Sequence, residues 1–323
     1  MGRGFTKFYG VLVALAFFAA FLNLNTGFIS LSTSDFLYTN SPNYDIAVLR
    51  FHRVIAVLIA GVSIPTAGFV LQEYFRNPLA GAEVLGISAV ASLAVALYIF
   101  LSKDLLFPEF LQNNLLNLSA IVGSVLMLLI LLAFSRRIAD KSFLIIFGFL
   151  VSALAGAVIS LLQFYADSQS LRNYILWSFG ANNQLSGSQI FILGGTTLVG
   201  LALCIRVIKP LMGISLGENY ALSLGVNLHR LKFLAIITTS LLSASVTAFM
   251  GSILFIGIVI PHFSRLLYNP SRLWHQWLLN MALGVLIMEV FSSLSEVLSL
   301  SLNIISSIFG IPVILMMLIK GKR

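Results

Sequence analysis

The chain has 323 residues, 59% hydrophobic and 9% charged, with a net charge of +8. A water-soluble domain carries about 25% charged residues, so the composition excludes one and predicts a single all-α polytopic membrane domain over 1–323, of roughly ten spans. The basic residues are scattered between apolar runs, which excludes a nucleic-acid footprint, and the single cysteine, Cys204, excludes disulfides and cysteine-based metal sites.

The N-terminus "MGRGFTKFYGVLVALAFFAAFLNLN" reads either as a signal peptide or as a retained first span. The retained span is preferred, because it makes the later topology close. Uncharged windows then place spans near 8–28, 54–72, 84–102, 114–134, 143–164, 190–205, 233–250, 252–267, 277–298 and 304–320. The uncharged run from Phe233 to Ser264 would measure about 48 Å as one helix, too long for a bilayer core of about 30 Å. The "MGS" at 250–252 is its natural break. The segment "GANNQLSGSQ" (180–189) is too polar for hydrocarbon, so a short external helix is expected around Leu171–Phe179.

Lysine and arginine set the orientation. With both termini inside, cytoplasmic segments hold fifteen of them, and external segments hold only Arg50, Arg53, Lys103 and Arg172. That bias requires an even number of spans, for which ten is the simplest.

This topology puts "SLGENYALSLGVNLHRLK" (215–232) in the cytoplasm. Ser215 and Glu218 have the spacing of a capping box. Leu216, Tyr220 and Leu224 share one helical face. Gly225 suits the left-handed residue that ends a helix, and Asn227 can cap the next one. Arg230 and Lys232 are expected to hold that helix end at the lipid headgroups. A bland connection needs no such patterning, and a protein partner is the preferred reading.

Other signals are local. In "YFRNPLAGAEVLGIS" (74–88), Asn77-Pro78 ends the second span, as a plain turn or as an inner gate. In "VLRFHRV" (48–54), Arg50 and Arg53 share a helix face at its external end. They read equally as arginines snorkelling to headgroups or as a dock for an acidic partner. On the ninth span, Glu289, Ser292, Ser293, Glu296 and Ser299 form a polar stripe. Glu296 is placed near the external surface and Glu289 deeper, with no evident cationic partner for either. Helix–helix hydrogen bonding is preferred there to ion coupling. Pro65 and Pro312 mark kinks within spans. The chain has no phosphate-binding loop, and its four histidines have no metal spacing.

The run "RFHRVIAVLIAGVSIPTAGFVLQEYFRNPLAGAEVLGIS" (50–88) resembles the FecCD-type, or type II, ABC importer permeases for iron–siderophore complexes, haem and cobalamin. The stretches "LGENYALSLGVNLHRLK", "GSILFIGIVIPHFSRLL" (251–267) and "IFGIPVILMMLIKGKR" (308–323) continue the resemblance in order over essentially the whole chain. It implies a multi-pass subunit of the bacterial inner membrane that pairs with a second copy or a sister permease. ATPase subunits would bind below, carrying the ATP and Mg, and an external solute-binding protein would dock above; this chain itself would hold no cofactor and catalyse nothing. Leu216, Gly217, Glu218, Tyr220, Leu224, Gly225 and Arg230 would form the element that seats on the ATPase. Asn77, Pro78 and Leu79 would lie at the cytoplasmic gate, and Arg50 and Arg53 would meet acidic residues of the binding protein. Gly148, Trp177 and Gly180 fall where the family lines its pathway and external mouth. Two departures stand out: "LSLN" (300–303) lacks the proline usual before the last span, and Ser292 replaces a third external arginine carried by some members. The competing function is an ion-coupled secondary transporter using Glu289 and Glu296; a membrane enzyme has no catalytic constellation to stand on.

Overall fold

The structure, a computed structural model, describes residues 3–101, 109–137, 141–180 and 185–320. Lys103, residues 181–184 of the polar loop, Lys322 and Arg323 lie outside them. The described chain is helical throughout. Its helices are α1 (Arg3–Asn25), α2 (Thr33–Leu37), α3 (Tyr44–Phe75), α4 (Ile87–Leu101), α5 (Glu109–Arg137), α6 (Lys141–Tyr165), α7 (Ser168–Ser178), α8 (Gly187–Ser215), α9 (Glu218–Ser223), α10 (Leu228–Met250), α11 (Ile256–Leu267), α12 (Leu273–Leu298) and α13 (Leu302–Lys320). A 3-10 turn, Ala82–Leu85, precedes α4.

Seven of these helices are long and apolar enough to cross a membrane: α1, α3, α5, α6, α8, α10 and α12. Three shorter apolar helices, α4, α11 and α13, bring the apolar segments to the ten that the sequence predicts. The short helix expected around Leu171–Phe179 is present as α7, which Asp167 caps by accepting from the Gln169 and Ser170 amides. α10 ends at the predicted break. Gly251 takes φ +74°, a backbone that favours glycine, and donates its N–H to the Thr247 carbonyl. The chain turns back over residues 251–255 before α11 begins.

The sequence places the start of the second span at residue 54, but α3 begins ten residues earlier, at Tyr44. Hydropathy cannot find that start, because Asp45, Arg50 and Arg53 interrupt the apolar run while the helix continues through them.

α3 and α10 are buried along most of their length, whereas α1, α5, α6 and α8 turn most of their surface outward. Lipid tails are as apolar as leucine, so close backbone packing and interhelical hydrogen bonds hold such helices together. α3 uses both. Gly61 faces Gly284 of α12 and Gly68 faces Gly257 of α11, so closely that a Cβ on Gly68 or Gly284 would overlap the opposing carbonyl. Pro65 supplies no N–H to the Gly61 carbonyl four residues back, and the Gly284 backbone sits over that carbonyl. The kinks expected at Pro65 and Pro312 do not interrupt their helices. Trp277 of α12 donates to Thr66 at 3.0 Å, and Ser63 bonds Thr197 of α8 at 3.0 Å. Such bonds contribute about 0.6–2 kcal/mol each inside a bilayer.

Candidate functional site

At the end of the bundle rich in lysine and arginine, α8 runs past residue 205 to Ser215. The expected capping box does not form. Ser215 completes the last turn of α8, and its hydroxyl donates back to the Met212 carbonyl at 2.8 Å. Gly217 takes the cap position of α9 with φ +123°, and Glu218 becomes the first helical residue, where its charge suits the helix dipole. Ala221 is fully buried and seats α9 against Gly213 of α8.

Gly225 ends α9 with φ +78°, and the Val226 N–H closes the turn onto the Ala221 carbonyl at 3.0 Å. Asn227 caps α10 by accepting from the Arg230 N–H at 2.9 Å. The side chains of Leu216, Tyr220 and Leu224 stand 67%, 51% and 61% exposed. An apolar ridge therefore projects from a rigid turn that is fastened to both α8 and α10. Lys232 does not reach for headgroups as expected; its ammonium donates to the Ser135 carbonyl of α5.

The Asn77 turn lies at the end of α3. Arg76 adopts the left-handed conformation with φ +52°. Asn77 Oδ1 accepts the Leu79 N–H at 2.9 Å, while Pro78 is exposed. Beside the turn, Arg265 of α11 pairs with Glu73 at 2.7 Å and donates to Gln72 at 3.0 Å. Gln72 in turn donates to the Ile258 carbonyl at 3.1 Å. These bonds fix α11 to α3 directly next to the turn. Sequence reasoning missed them, although Arg265 belongs to the "IPHFSRLL" stretch singled out above.

At the opposite end, Arg50 and Arg53 lie well inside α3 and are 6% and 8% exposed. Neither snorkels. Arg53 pairs with Glu296 at 2.7 Å and donates to the carbonyls of Asn23 and Thr26 at 2.8 and 2.9 Å. Arg50 donates to the Ile29 carbonyl. Glu296 thus has the cationic partner that the sequence conceals. Glu289 is fully buried and accepts from Asn23 Nδ2 at 2.6 Å, and Ser292 donates to Asn23 Oδ1 at 3.4 Å. The polar stripe is therefore a hydrogen-bonded seam between α12 and α1. A cavity of 450 Å³ opens beside it, lined by Arg50, Arg53, Glu296, Ser299 and Gly180 among others. The Nη1 of Arg50 has no hydrogen-bond partner among the described residues.

The three pathway candidates fall differently. Gly148 is buried where α6 meets the 3-10 turn; a Cβ there would lie 2.5 Å from the Val84 carbonyl oxygen. Trp177 is buried beside Tyr174, with ring centroids 6.2 Å apart. Gly180 alone of the three borders an open space, the cavity beside Arg50. Gly148 and Trp177 are both covered by helix contacts within this chain that the linear order does not reveal. Among the described residues, no group of three or more His, Cys, Asp or Glu side chains is placed to hold a metal ion.

Residues 9–320 match the profile of the FecCD transport family. The chain is similar to the hemin transport system permease protein HmuU of Yersinia pestis, at 29% identity over 97% of this chain and 96% of that one. It is equally similar to the vitamin B12 import system permease protein BtuC of Photorhabdus laumondii, at 29% identity over 98% and 93% of the two chains. Among solved structures, an inward-facing metal-chelate type ABC transporter superposes with a TM-score of 0.84 at 25% identity, covering 98% of this chain and 99% of that one.

Proposed function

The chain belongs to the FecCD transport family, and from that premise we propose that it is the permease subunit of an ATP-driven importer for a bulky iron–siderophore, haem or cobalamin cargo. It forms the pathway together with a second permease chain, and hydrolysis takes place in ATPase subunits bound at the α9 end. The observation that carries this reading is the exposure of Leu216, Tyr220 and Leu224 around α9, which is fixed between two positive-φ glycines; Leu216 stands just before Gly217 at the end of α8 and Leu224 just before Gly225. A six-residue helix has little stability of its own; one bracketed by large exposed apolar side chains fits a cleft in a partner.

Movement of the ATPases would push α9 as a rigid piece. Ala221 on Gly213 passes the displacement to α8, and the Asn227 cap passes it to α10. Both helices pack on α3, whose end carries the Asn77–Leu79 turn. ATP binding in the partner then shifts the balance between inward-open and outward-open states. On the external side, Arg50 borders the 450 Å³ cavity while its unpaired Nη1 is buried, so a carboxylate of the solute-binding protein would reach that donor only on rearrangement of the cavity wall. Arg53 is committed to Glu296 and would shape that cavity rather than meet the partner.

The test is co-purification from the native host in mild detergent, comparing wild type with Glu218→Arg. An ATPase that co-elutes with wild type and is lost from a variant with the same yield and unfolding temperature supports the coupling role. Absence of any ATPase from an intact wild-type permease dimer would overturn it.

A further inference from the structure

α8 is apolar as far as Ile205 and then carries Arg206 and Lys209, both exposed. Arg230 stands opposite them on the first turn of α10. With Ile205 and Met212, these residues line an open cleft of 1020 Å³ between α8, α9 and α10. The lining contains three cations and no carboxylate, and none of the three forms an ion pair among the described residues. Leu198, Ile205 and Met212 recur every seven residues on one face of α8 and are 68%, 48% and 39% exposed. An apolar strip thus runs straight into the basic cleft.

We propose that this cleft binds an anionic phospholipid, with its phosphate held by Arg206, Lys209 and Arg230 and an acyl chain laid along Leu198 and Ile205. Basic pockets between helices at a membrane surface recognise such headgroups. Depth favours lipid over a soluble partner. Arg206 and Lys209 lie six to nine residues back from the end of α8, roughly 9–14 Å, where the apolar run stops and headgroups begin. Leu216, Tyr220 and Leu224 rim the same cleft at its α9 end, so a bound ATPase would border the lipid. The inference requires that the chain spans a membrane; it shares Arg230 and the α9 end of the cleft with the ATPase-docking reading, and lipid retention tests it separately.

The test is native mass spectrometry of the purified full chain incubated with phosphatidylglycerol, phosphatidylcholine or glycerol phosphate. Phosphatidylglycerol is expected to remain bound preferentially. Arg206→Gln/Lys209→Gln/Arg230→Gln should weaken its retention by about fivefold for each charge removed. The charge-preserving Arg206→Lys/Lys209→Arg/Arg230→Lys variant should retain it, and so should Arg172→Gln. If the triple glutamine variant does not fold, Lys209→Gln alone carries the same test at one charge. Equal retention of both lipids, or unchanged retention in the glutamine variants, overturns the proposal. Glycerol phosphate binding as tightly as the lipid would assign the cleft to a soluble anion instead. Loss of a co-purifying protein with lipid retention unchanged would assign it to a protein partner.

Discussion

Arg53 Nη1 lies 2.7 Å from Glu296 Oε1, and this ion pair ties α3 to the last turns of α12. The guanidinium also donates to two carbonyls at the end of α1, so one side chain fastens three segments. Glu296→Gln should therefore destabilise the fold by leaving a buried, uncompensated arginine. The expected loss is about 2 kcal/mol, below the 3–5 of a fully buried pair because Glu296 keeps contact with water. Arg53→Met together with Glu296→Leu should recover part of it. Thermal unfolding of wild type, Arg53→Met, Glu296→Leu and the double variant in nanodiscs measures the coupling; additive single effects would mean that the pair contributes nothing.

Two glycines separate steric from conformational cost. Gly68→Ala drives a methyl group into the Gly257 carbonyl, a clash of backbone on backbone that cannot relax locally. Loss of folded yield is expected. Gly225→Ala meets nothing within 4 Å, so only the positive φ opposes it, at about 1 kcal/mol. That variant should fold with a slightly lowered melting temperature; equal damage from both substitutions would contradict this assignment.

Tyr220→Ala and Leu224→Ala remove exposed side chains. Stability should change by less than about 0.5 kcal/mol, while ATP-driven uptake in proteoliposomes should fall steeply. Uptake that follows the melting temperature instead would make the ridge structural.

Glu289→Gln keeps the size of the side chain and an acceptor for Asn23 Nδ2. Full ATP-dependent uptake is expected to survive it. Loss of uptake in a stably folded variant would restore ion coupling through this acid.

Span number, helical class and the surface features of α9 are all legible along the chain. Gly225 and Asn227 act within five residues of their partners, and Leu216, Tyr220 and Leu224 are exposed, although Leu216 ends α8 instead of sharing one helix with the other two. Local reading failed at Ser215 because the end of α8 claimed its hydroxyl. It also failed at Arg50 and Arg53, where charge was taken to mean exposure. The stretch "STSD" (32–35) carries a local signal of the same kind: Ser32 and Asp35 have the spacing of the capping box that starts α2.

The sequence by itself determined that this is a helical membrane protein, where its apolar segments lie, and which short helix presents an apolar ridge. Each of those depends on hydropathy or hydrogen bonds within a turn or two of the residue concerned. Only the tertiary structure decided that Arg53 belongs to Glu296, Arg265 to Glu73, Asn23 to Glu289 and Gly68 to Gly257. In a bilayer, burial does not distinguish a helix face turned to lipid from one turned to another helix. Partners far apart in the chain are therefore fixed by packing geometry, which hydropathy does not encode.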